Sequence, residues 1–392
     1  MSLTRLYMDM RDRAALIFLT VLMFSFGFLG TAAHRMVLYV SGIFLIGVVW
    51  RYGRDVFAAN QKLAILFVGF LFYNVISVFF VNGWSGENLF HAVKTAICIG
   101  VFVFAAAAMT MGSEQNEKTL LRALIIGVTL SSLVALMTYG WQVYSGAAIT
   151  PYRLTGFGRI SRSTKMGEAL AVVSLILLYK KDILPCKISR PLLLAFNMAI
   201  LFVTWGRGAI AGFVSSVLVM TFSRPNRKIL IGGIVALLVG AVALFLMPNF
   251  VHMLVERGLT HRDEIWMQAF DYIREKPIFG YGISHKFRFV VDARYNSAQN
   301  SPHNILLGAL LYGGIVGAGI LIGLVVLAIC KAVSLHRARV ACYPMALFLF
   351  GLVVGQVTGR TIFINVNPEW LYTWIPLALL MGIVAREKMK ST

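Results

Sequence analysis

Residues 303–331 read HNILLGALLYGGIVGAGILIGLVVLAICK, an apolar run with no Asp, Glu, Lys or Arg before Lys331. A helix needs about 20 apolar residues to cross the hydrocarbon core of a bilayer, so this run predicts a membrane-spanning helix. Similar runs recur along the 392 residues, of which 59% are hydrophobic and only 13% are charged. Soluble domains carry about 25% charged residues. Because the sequence shows no barrel-type alternation, we predict an all-α polytopic membrane protein.

The apolar runs divide one transmembrane domain, residues 1–392, into about twelve predicted spanning helices. Their approximate bounds are 14–32, 36–50, 62–81, 91–111, 119–144, 166–180, 190–204, 208–223, 228–247, 303–331, 340–358 and 370–386. Of the 36 Lys and Arg residues, 21 fall on the side that holds the N-terminus and 15 on the other side, seven of them in 248–302. Short loops rich in Lys and Arg stay in the cytoplasm, so both termini are predicted to be cytoplasmic.

Two segments on the predicted outer side are too long to serve only as connections. One is 145–165, and the other is 248–302, between the ninth and tenth predicted spans. In the longer segment, apolar residues recur at helical spacing over 262–275 and predict a helix that ends before Pro277. Long ordered loops are usually functional, so we expect any chemistry on the outer side.

The net charge of +20 would indicate nucleic acid in a soluble protein. Here part of it follows membrane topology, and the remainder predicts an anionic ligand. Of the 15 outer basic residues, 11 are arginines: Arg35, Arg153, Arg159, Arg162, Arg207, Arg257, Arg262, Arg274, Arg288, Arg294 and Arg360. The planar fork of arginine binds two phosphate oxygens at once, which favours a phosphate or pyrophosphate ligand. The alternative is that these side chains bind the head groups of ordinary anionic lipids.

Three outer residues stand on predicted rigid elements. Arg207 joins two helices between Gly206 and Gly208, where it serves either as a membrane anchor or as a ligand-binding residue. Arg262 opens the predicted loop helix and is a ligand candidate, unless the adjacent acidic residues pair with it. Glu168 lies near the outer end of the sixth span, where a carboxylate is a functional candidate or else caps the helix or pairs with an arginine.

The start of the tenth span carries the sharpest local pattern. Ser301 is predicted to cap the helix and Pro302 to occupy its first position, which places His303 in the first turn. The positive end of a helix disfavours a charged imidazole, so His303 is expected to stay neutral and able to accept a proton. At about 100° per residue, Gly314 and Gly317 fall within about 40° of the face that carries His303. This smooth face fits tight helix packing, with His303 as an interfacial residue above a glycine seam, or a lipid chain in a groove.

Several common catalytic motifs are absent from the sequence. It contains no HExxH motif, no DxD pair, no P-loop and no serine nucleophile elbow with convincing partners. The four cysteines form no CxxC pair, and the other histidines show no metal-ligand spacing. We therefore predict neither a metal ion nor a cofactor.

Three stretches resemble the motifs of one family. His303-Asn304 followed by Gly314 and Gly317 resembles the histidine signature of the O-antigen ligases, multi-spanning enzymes of the GT-C glycosyltransferase class. Residues 204–208, TWGRG, resemble the Thr-x-Ser-Arg-Gly element of the wider ligase and polymerase superfamily, with glycine where serine is commoner. Residues 262–282 resemble its Arg-x-x-x-Trp and Pro-x-x-Gly-x-Gly elements. The resemblance is close in the second half of the chain and limited to topology and length in the first.

The resemblance implies an inverting, metal-independent transferase at the periplasmic face of the inner membrane of a Gram-negative bacterium. It would join O-antigen polysaccharide from undecaprenyl pyrophosphate to a sugar of lipid A–core, without a cofactor. Its partners would be these two substrates and membrane lipid, and nucleic acid is not among them. The segments 145–165 and 248–302 would then be periplasmic loops.

The resemblance also implies roles for individual residues. His303 would be the general base, and Arg207 and Arg262 would hold the pyrophosphate. Further pyrophosphate candidates are Arg153, Arg159 and Arg288. The predicted supporting residues are Asn304, Gly314, Gly317 and Glu168.

Other functions share parts of this pattern. An O-antigen polymerase of the same superfamily uses the same donor, although the His-Asn pair at the start of the tenth span favours a ligase. Protein-glycosylating ligases of the superfamily are usually longer chains. A secondary transporter of an anionic or lipid-linked substrate would fit the spans and the basic residues. Against it, the sequence has few ionisable residues at mid-membrane depth and no inverted repeat.

Overall fold

The computed structural model describes residues 10–81, 83–146, 154–186, 188–223, 262–292 and 297–391. Its helices are α1 (Met10–Ser25), α2 (Thr31–Ala59), α3 (Gln61–Ile76), α4 (Gly86–Gly112), α5 (Glu114–Tyr144), α6 (Ser163–Tyr179), α7 (Ser189–Val203), α8 (Arg207–Ser223), α9 (Arg262–Glu275), α10 (Ile305–Arg337), α11 (Tyr343–Val357) and α12 (Trp374–Ser391). Short 3-10 helices cover Ser77–Phe80, Gly158–Ile160 and Pro368–Tyr372. Strands β1 (Phe289–Asp292) and β2 (Ser297–Gln299) pair antiparallel.

Eleven of the predicted spans overlap helices of the structure, and the span predicted at 228–247 lies outside the described residues. Among the described residues, six helical segments are long and apolar enough to cross a membrane: Thr31–Ala59, Gln61–Phe80, Gly86–Gly112, Glu114–Tyr144, Ile305–Arg337 and Pro368–Ser391. The same part of the chain has three shorter apolar helices, Ser189–Val203, Arg207–Ser223 and Tyr343–Val357. The described part of the chain is thus a predominantly helical polytopic membrane protein. The count of twelve spans, their sidedness and the GT-C-like arrangement stay predictions.

The bundle is built around α12, which is buried from Trp374 to Ala385 and packs on α4, α2, α10 and α11. Around this core, large apolar side chains face outward, including Ile43 (73% exposed), Trp50 (89%) and Phe222 (83%). Monomeric soluble proteins rarely expose apolar surface on this scale, whereas a bilayer covers it with lipid tails. The surface pattern therefore agrees with the hydropathy of the sequence.

The segment before α10 folds into a small unit of its own. Helix α9 occupies the residues at which the loop helix was predicted, and β1 packs on it. The side chain of Gln268 on α9 binds both backbone groups of Val290, accepting from its amide at 2.9 Å and donating to its carbonyl at 2.8 Å. This antiparallel strand pair was not predicted, because both strands are short and the sequence there shows no strong turn signal.

Helix α10 is interrupted at Gly314, which has φ +59 and ψ −162. The segment 277–282 supplies hydrogen bonds at this break. Tyr281 and Gly282 amides donate to the carbonyls of Leu311 and Tyr312 at 2.8 Å each, and the Ile315 amide donates to the Pro277 carbonyl at 2.8 Å. Backbone groups freed at a kink within a membrane protein must find partners inside the protein. The Pro-x-x-Gly-x-Gly stretch meets this need and locks the loop to α10.

The glycine-rich face of α10 is covered rather than open. The Tyr73 hydroxyl donates to the Gly313 carbonyl at 2.6 Å, and a Cβ on Gly317 would lie 2.8 Å from the Tyr73 ring. The prediction that His303, Gly314 and Gly317 share one smooth face is wrong, because neither His303 nor Gly314 has a helical backbone. The sequence left open tight helix packing or a lipid groove at these glycines, and the structure shows tight packing.

We expect Gly314→Ala to destabilise the protein by about 2 kcal/mol or more, because a Cβ strains a left-handed backbone and here overlaps the carbonyl of Ile278. The matched control is Gly319→Ala in the same helix, where a Cβ meets no atom within 4 Å. Thermal unfolding in detergent measures both variants. A Gly314→Ala protein as stable as Gly319→Ala would contradict the locked kink.

Candidate active site

His303 lies two residues before α10, not in its first turn as predicted. The cap is Asn304, whose Oδ1 accepts a hydrogen bond from the Leu307 amide at 3.0 Å. His303 has φ +54, a left-handed conformation that is uncommon outside glycine and that ends any helical path. Ser301 therefore does not cap α10, and its hydroxyl accepts from the His303 amide at 3.3 Å. Strained backbone of this kind clusters at functional sites.

The loop helix α9 is anchored directly to the histidine turn. The indole Nε1 of Trp266 donates to the Pro302 carbonyl at 2.9 Å. Arg262 lies four residues before Trp266, so both residues lie on one face of α9. This arrangement brings the Arg262 guanidinium close enough to lower the pKa of His303. The Arg-x-x-x-Trp spacing thus has a physical reading, in which the tryptophan docks the helix and the arginine reaches the imidazole.

A second tight turn carries Arg207 into the same region. Trp205 has φ +56, and the Gly206 amide donates to the Thr204 hydroxyl at 3.3 Å just before α8 begins. The Thr204 hydroxyl lies against Gly167 of α6, where a Cβ would lie 2.8 Å from it. The start of α8 is thereby packed beside the start of α6. Burial and then the charge of Arg207 lower the pKa of Arg262, so the two guanidinium groups interact electrostatically.

Next to these arginines, α6 contributes a buried ion network. Lys165 Nζ lies 3.0 Å from Glu168 Oε2 and 2.9 Å from Glu369 Oε1. The Thr358 hydroxyl donates to Glu168 Oε1 at 2.7 Å. The Glu168 and Glu369 side chains are 0% and 3% exposed, and buried charges of this kind persist only when paired. Glu168 therefore pairs with a lysine, whereas the sequence left open a functional role, a helix cap or an arginine partner.

The pKa of His303 is lowered to about 4, first by burial and then by the charges of Arg360, Arg262, Lys165 and Arg162. The imidazole is therefore neutral at pH 7, as the sequence predicted, although burial and neighbouring cations are the causes rather than a helix end. A neutral imidazole can accept a proton. Of these cations, Lys165 is already paired with Glu168 and Glu369, whereas the arginines form a site that an anion would stabilise.

Comparison with known proteins bears on the same segment. Residues 191–322 match the family described as O-Antigen ligase. Over 330 residues, the chain is 26% identical to the O-antigen ligase of Pseudomonas aeruginosa. The aligned region covers 83% of this chain and 80% of that protein. The resemblance to the O-antigen ligases is confirmed. The segment matched by the ligase family contains Arg207, Arg262, His303, Gly314 and Gly317.

The other predicted ligand residues have different outcomes. Arg153 lies outside the described residues, and so does the side chain of Arg159. Arg288 is exposed beside β1. A part in pyrophosphate binding stays a prediction for all three arginines.

Four charged residues of this site were not singled out from the sequence: Arg162, Lys165, Arg360 and Glu369. Arg162 and Arg360 stood in the wider set of outer arginines, without a signal that separates them from the rest. The spacing of Lys165 and Glu168, three residues apart on a helix, was readable as an ion pair. Glu369 is 204 residues from Lys165, so only the fold brings them together.

Proposed function

We propose that this chain is an inverting, metal-independent GT-C glycosyltransferase that joins O-antigen polysaccharide from undecaprenyl pyrophosphate to a sugar hydroxyl of lipid A–core. The observation that carries the proposal is a neutral imidazole, His303, set among Arg162, Arg262, Arg360 and Lys165. Similarity to the O-antigen ligases supports the reaction class. The reaction takes place at the periplasmic face of the bacterial inner membrane.

In this reaction His303 acts as the general base. The acceptor hydroxyl oxygen forms a bond to the anomeric carbon of the donor, while the bond from that carbon to the pyrophosphate oxygen breaks on the opposite face. The imidazole takes the hydroxyl proton as the new bond forms. A positioned base of this kind accelerates a reaction by roughly 10²- to 10⁴-fold.

The arginines act on the leaving group. Negative charge grows on the pyrophosphate as the bond breaks, and guanidinium groups fixed before the reaction stabilise that charge without reorganising. Arg207 and Arg262 are placed on the starts of α8 and α9, so each is held by a rigid element. Pyrophosphate is already a good leaving group, so the reaction needs no strong general acid.

The polyprenyl chain of the donor has a groove beside this site. An apolar cavity of about 380 Å³ begins at Ile305 and Leu306, two residues from His303, and runs along α10 as far as Ile329. Side chains of α11 and α12, including Phe348 and Trp374, form its other wall. We place the lipid chain here instead of on the glycine face of α10, which Tyr73 covers.

We expect Val325→Trp, which fills this cavity, to raise the KM for the polyprenyl donor by roughly tenfold, because overpacking removes the volume that the chain occupies. Ile315→Trp is the control, since Ile315 lies on the same helix with 63% of its side chain exposed and does not line the cavity. Steady-state transfer at varied donor concentration measures both. An unchanged donor KM in Val325→Trp would remove the cavity from the donor site.

The pH dependence of transfer reports on the imidazole. Because the base must be unprotonated and the pKa of His303 is lowered to about 4, the rate is expected to stay level from pH 7 to about 5 and to fall below that. An initial-rate profile on purified protein, with unfolding monitored at each pH, tests this. A rate already halved near pH 6.5, the pKa of an ordinary histidine, would contradict the lowered pKa of this group.

Deletion of the gene in its host tests the function and separates it from its neighbours. A ligase deletion leaves lipid A–core without O-antigen, with the polymer still attached to undecaprenyl pyrophosphate. A polymerase deletion instead leaves cores that carry a single repeat unit. Transport of labelled substrate into proteoliposomes, with no new covalent bond, would indicate a secondary transporter.

A further inference from the structure

A second cavity borders the segment that follows α11. Its volume is about 320 Å³, and it lies between the starts of α2 and α4. Its lining is polar and includes Arg35, Tyr39, Asn88, Lys94 and Asn365. None of these residues takes part in the site around His303.

The cavity presents two cations that no carboxylate neutralises within the described residues. Lys94 Nζ lies 5.8 Å from the centre of the Tyr39 ring and 5.4 Å from that of Phe90, which holds the ammonium at the cavity wall. Arg35 is exposed and takes part in no ion pair among those residues. The Asn365 amide donates to the Tyr39 hydroxyl at 2.8 Å and so fixes the ring. A pair of cations beside a fixed aromatic ring and amide side chains suits a phosphorylated sugar.

The surroundings indicate that the ligand is a lipid rather than a free anion. Trp84 and Phe90, 49% and 64% exposed, stand at the start of α4, as aromatic residues do at the boundary between lipid and water. One turn beyond the cavity, the outward faces of α2 and α4 are apolar, with Ile43 73% and Ile97 55% exposed. A ligand with its head group in the cavity would lay its acyl chains on this surface.

The cavity is also connected to the site around His303. Arg360 lowers the pKa of His303, and Phe363, Ile364 and Asn365 of the same segment line the cavity. Five residues span at most about 18 Å when extended, so a short oligosaccharide reaches from one place to the other. Ile362 lines the apolar cavity proposed for the donor chain, so one stretch of backbone borders both cavities.

We propose that the cavity formed by Arg35, Tyr39, Asn88, Lys94 and Asn365 binds the phosphorylated sugar head group of the acceptor glycolipid. This inference rests on the proposed transfer to lipid A–core and names where that acceptor is held. Donor and acceptor then approach His303 from two different cavities that border the 360–365 segment. The two lipids do not compete for one groove.

The test compares the double variant Arg35→Gln/Lys94→Gln with Arg274→Gln/Lys286→Gln, which removes two exposed cations of the loop before α10. We expect the first variant to raise the KM for lipid A–core by roughly tenfold or more, the effect of losing charge-assisted hydrogen bonds, with the donor KM unchanged. The control variant is expected to keep both values. Lys94→Arg, which retains the charge, is expected to stay within about threefold of the wild type.

Direct binding measurements provide a second test that does not depend on turnover. Native mass spectrometry measures binding of lipid A–core, the same glycolipid without phosphates, phosphatidylglycerol and inorganic phosphate to the wild type and to the double variant. Of these four ligands, only the phosphorylated glycolipid is expected to bind the wild type more tightly than the double variant. If the double variant loses phosphatidylglycerol binding as much as lipid A–core binding, the cavity is an ordinary lipid site. If it loses inorganic phosphate binding to the same extent, the cavity is a simple anion site. Either result overturns the proposal.

The remaining outcomes are also decisive. An unchanged acceptor KM in the double variant, or a raised donor KM in its place, overturns the proposal. If the wild type transfers no glycan to lipid A–core, the proposed function fails, and the binding measurements then decide on the cavity alone.

Discussion

The His303→Ala variant is expected to lose glycan transfer by roughly 10²- to 10⁴-fold, the contribution of a positioned general base. The loss should fall on kcat, because the imidazole acts on the proton of the bound acceptor and holds neither substrate. Product formation from polyprenyl-linked glycan and lipid A–core measures it. Binding of the donor is expected to stay within a few-fold of the wild type.

A second variant at this position preserves the backbone conformation. His303 has φ +54, a conformation that asparagine adopts more readily than most residues. His303→Asn therefore keeps the turn, and its amide side chain cannot serve as a base at neutral pH. Its melting temperature is expected to match that of the wild type while transfer is lost. Wild-type transfer by His303→Asn would exclude the histidine as the base.

The Arg262→Ala variant is expected to lower kcat/KM by roughly 10²- to 10³-fold, the usual effect of removing one preorganised charge-stabilising group. Its stability should be unchanged or higher. The charge of Arg207 lowers the pKa of Arg262, and the charge of Arg262 lowers the pKa of His303, so removal of Arg262 relieves repulsion between like charges. Loss of activity without loss of stability is the signature of a ligand-binding residue.

Two further variants separate charge from shape. Arg262→Lys keeps the charge but loses the fork that binds two oxygens, so it is expected to recover only part of the rate. Arg274→Ala is the matched control, since Arg274 lies on the same helix, is exposed and pairs with Asp271 at 3.3 Å. Full activity of Arg262→Ala, or a loss of the same size in Arg274→Ala, would contradict the assignment.

Hydropathy predicted the positions of the helices well, because an apolar run of sufficient length has few alternatives in lipid. The conformation of His303 was missed for a local reason. Ser301 and Asn304 are both good capping residues, and the Ser-Pro pair favoured the earlier start. In the folded chain, Asn304 caps the helix and Trp266 of α9 holds the Pro302 carbonyl. No short-range pattern shows that contact.

The break at Gly314 was equally hidden from the sequence. A glycine within an apolar run is common in membrane helices, and its position there does not reveal a kink. The kink depends on hydrogen bonds from the 277–282 segment, which is more than thirty residues earlier in the chain. The pairing of Lys165 with Glu369 is more distant still. Family motifs located His303, Arg207 and Arg262, whereas the residues that hold them in place come from elements distant in sequence.

The most direct test of the central claim is product analysis with purified protein in nanodiscs, supplied with undecaprenyl pyrophosphate-linked glycan and lipid A–core in the presence of EDTA. The predicted result is lipid A–core that carries the glycan through a new inverted glycosidic bond, together with free undecaprenyl pyrophosphate, and no such product from His303→Asn. A longer glycan that remains on undecaprenyl pyrophosphate, or unmodified lipid A–core with active wild-type protein, would contradict it.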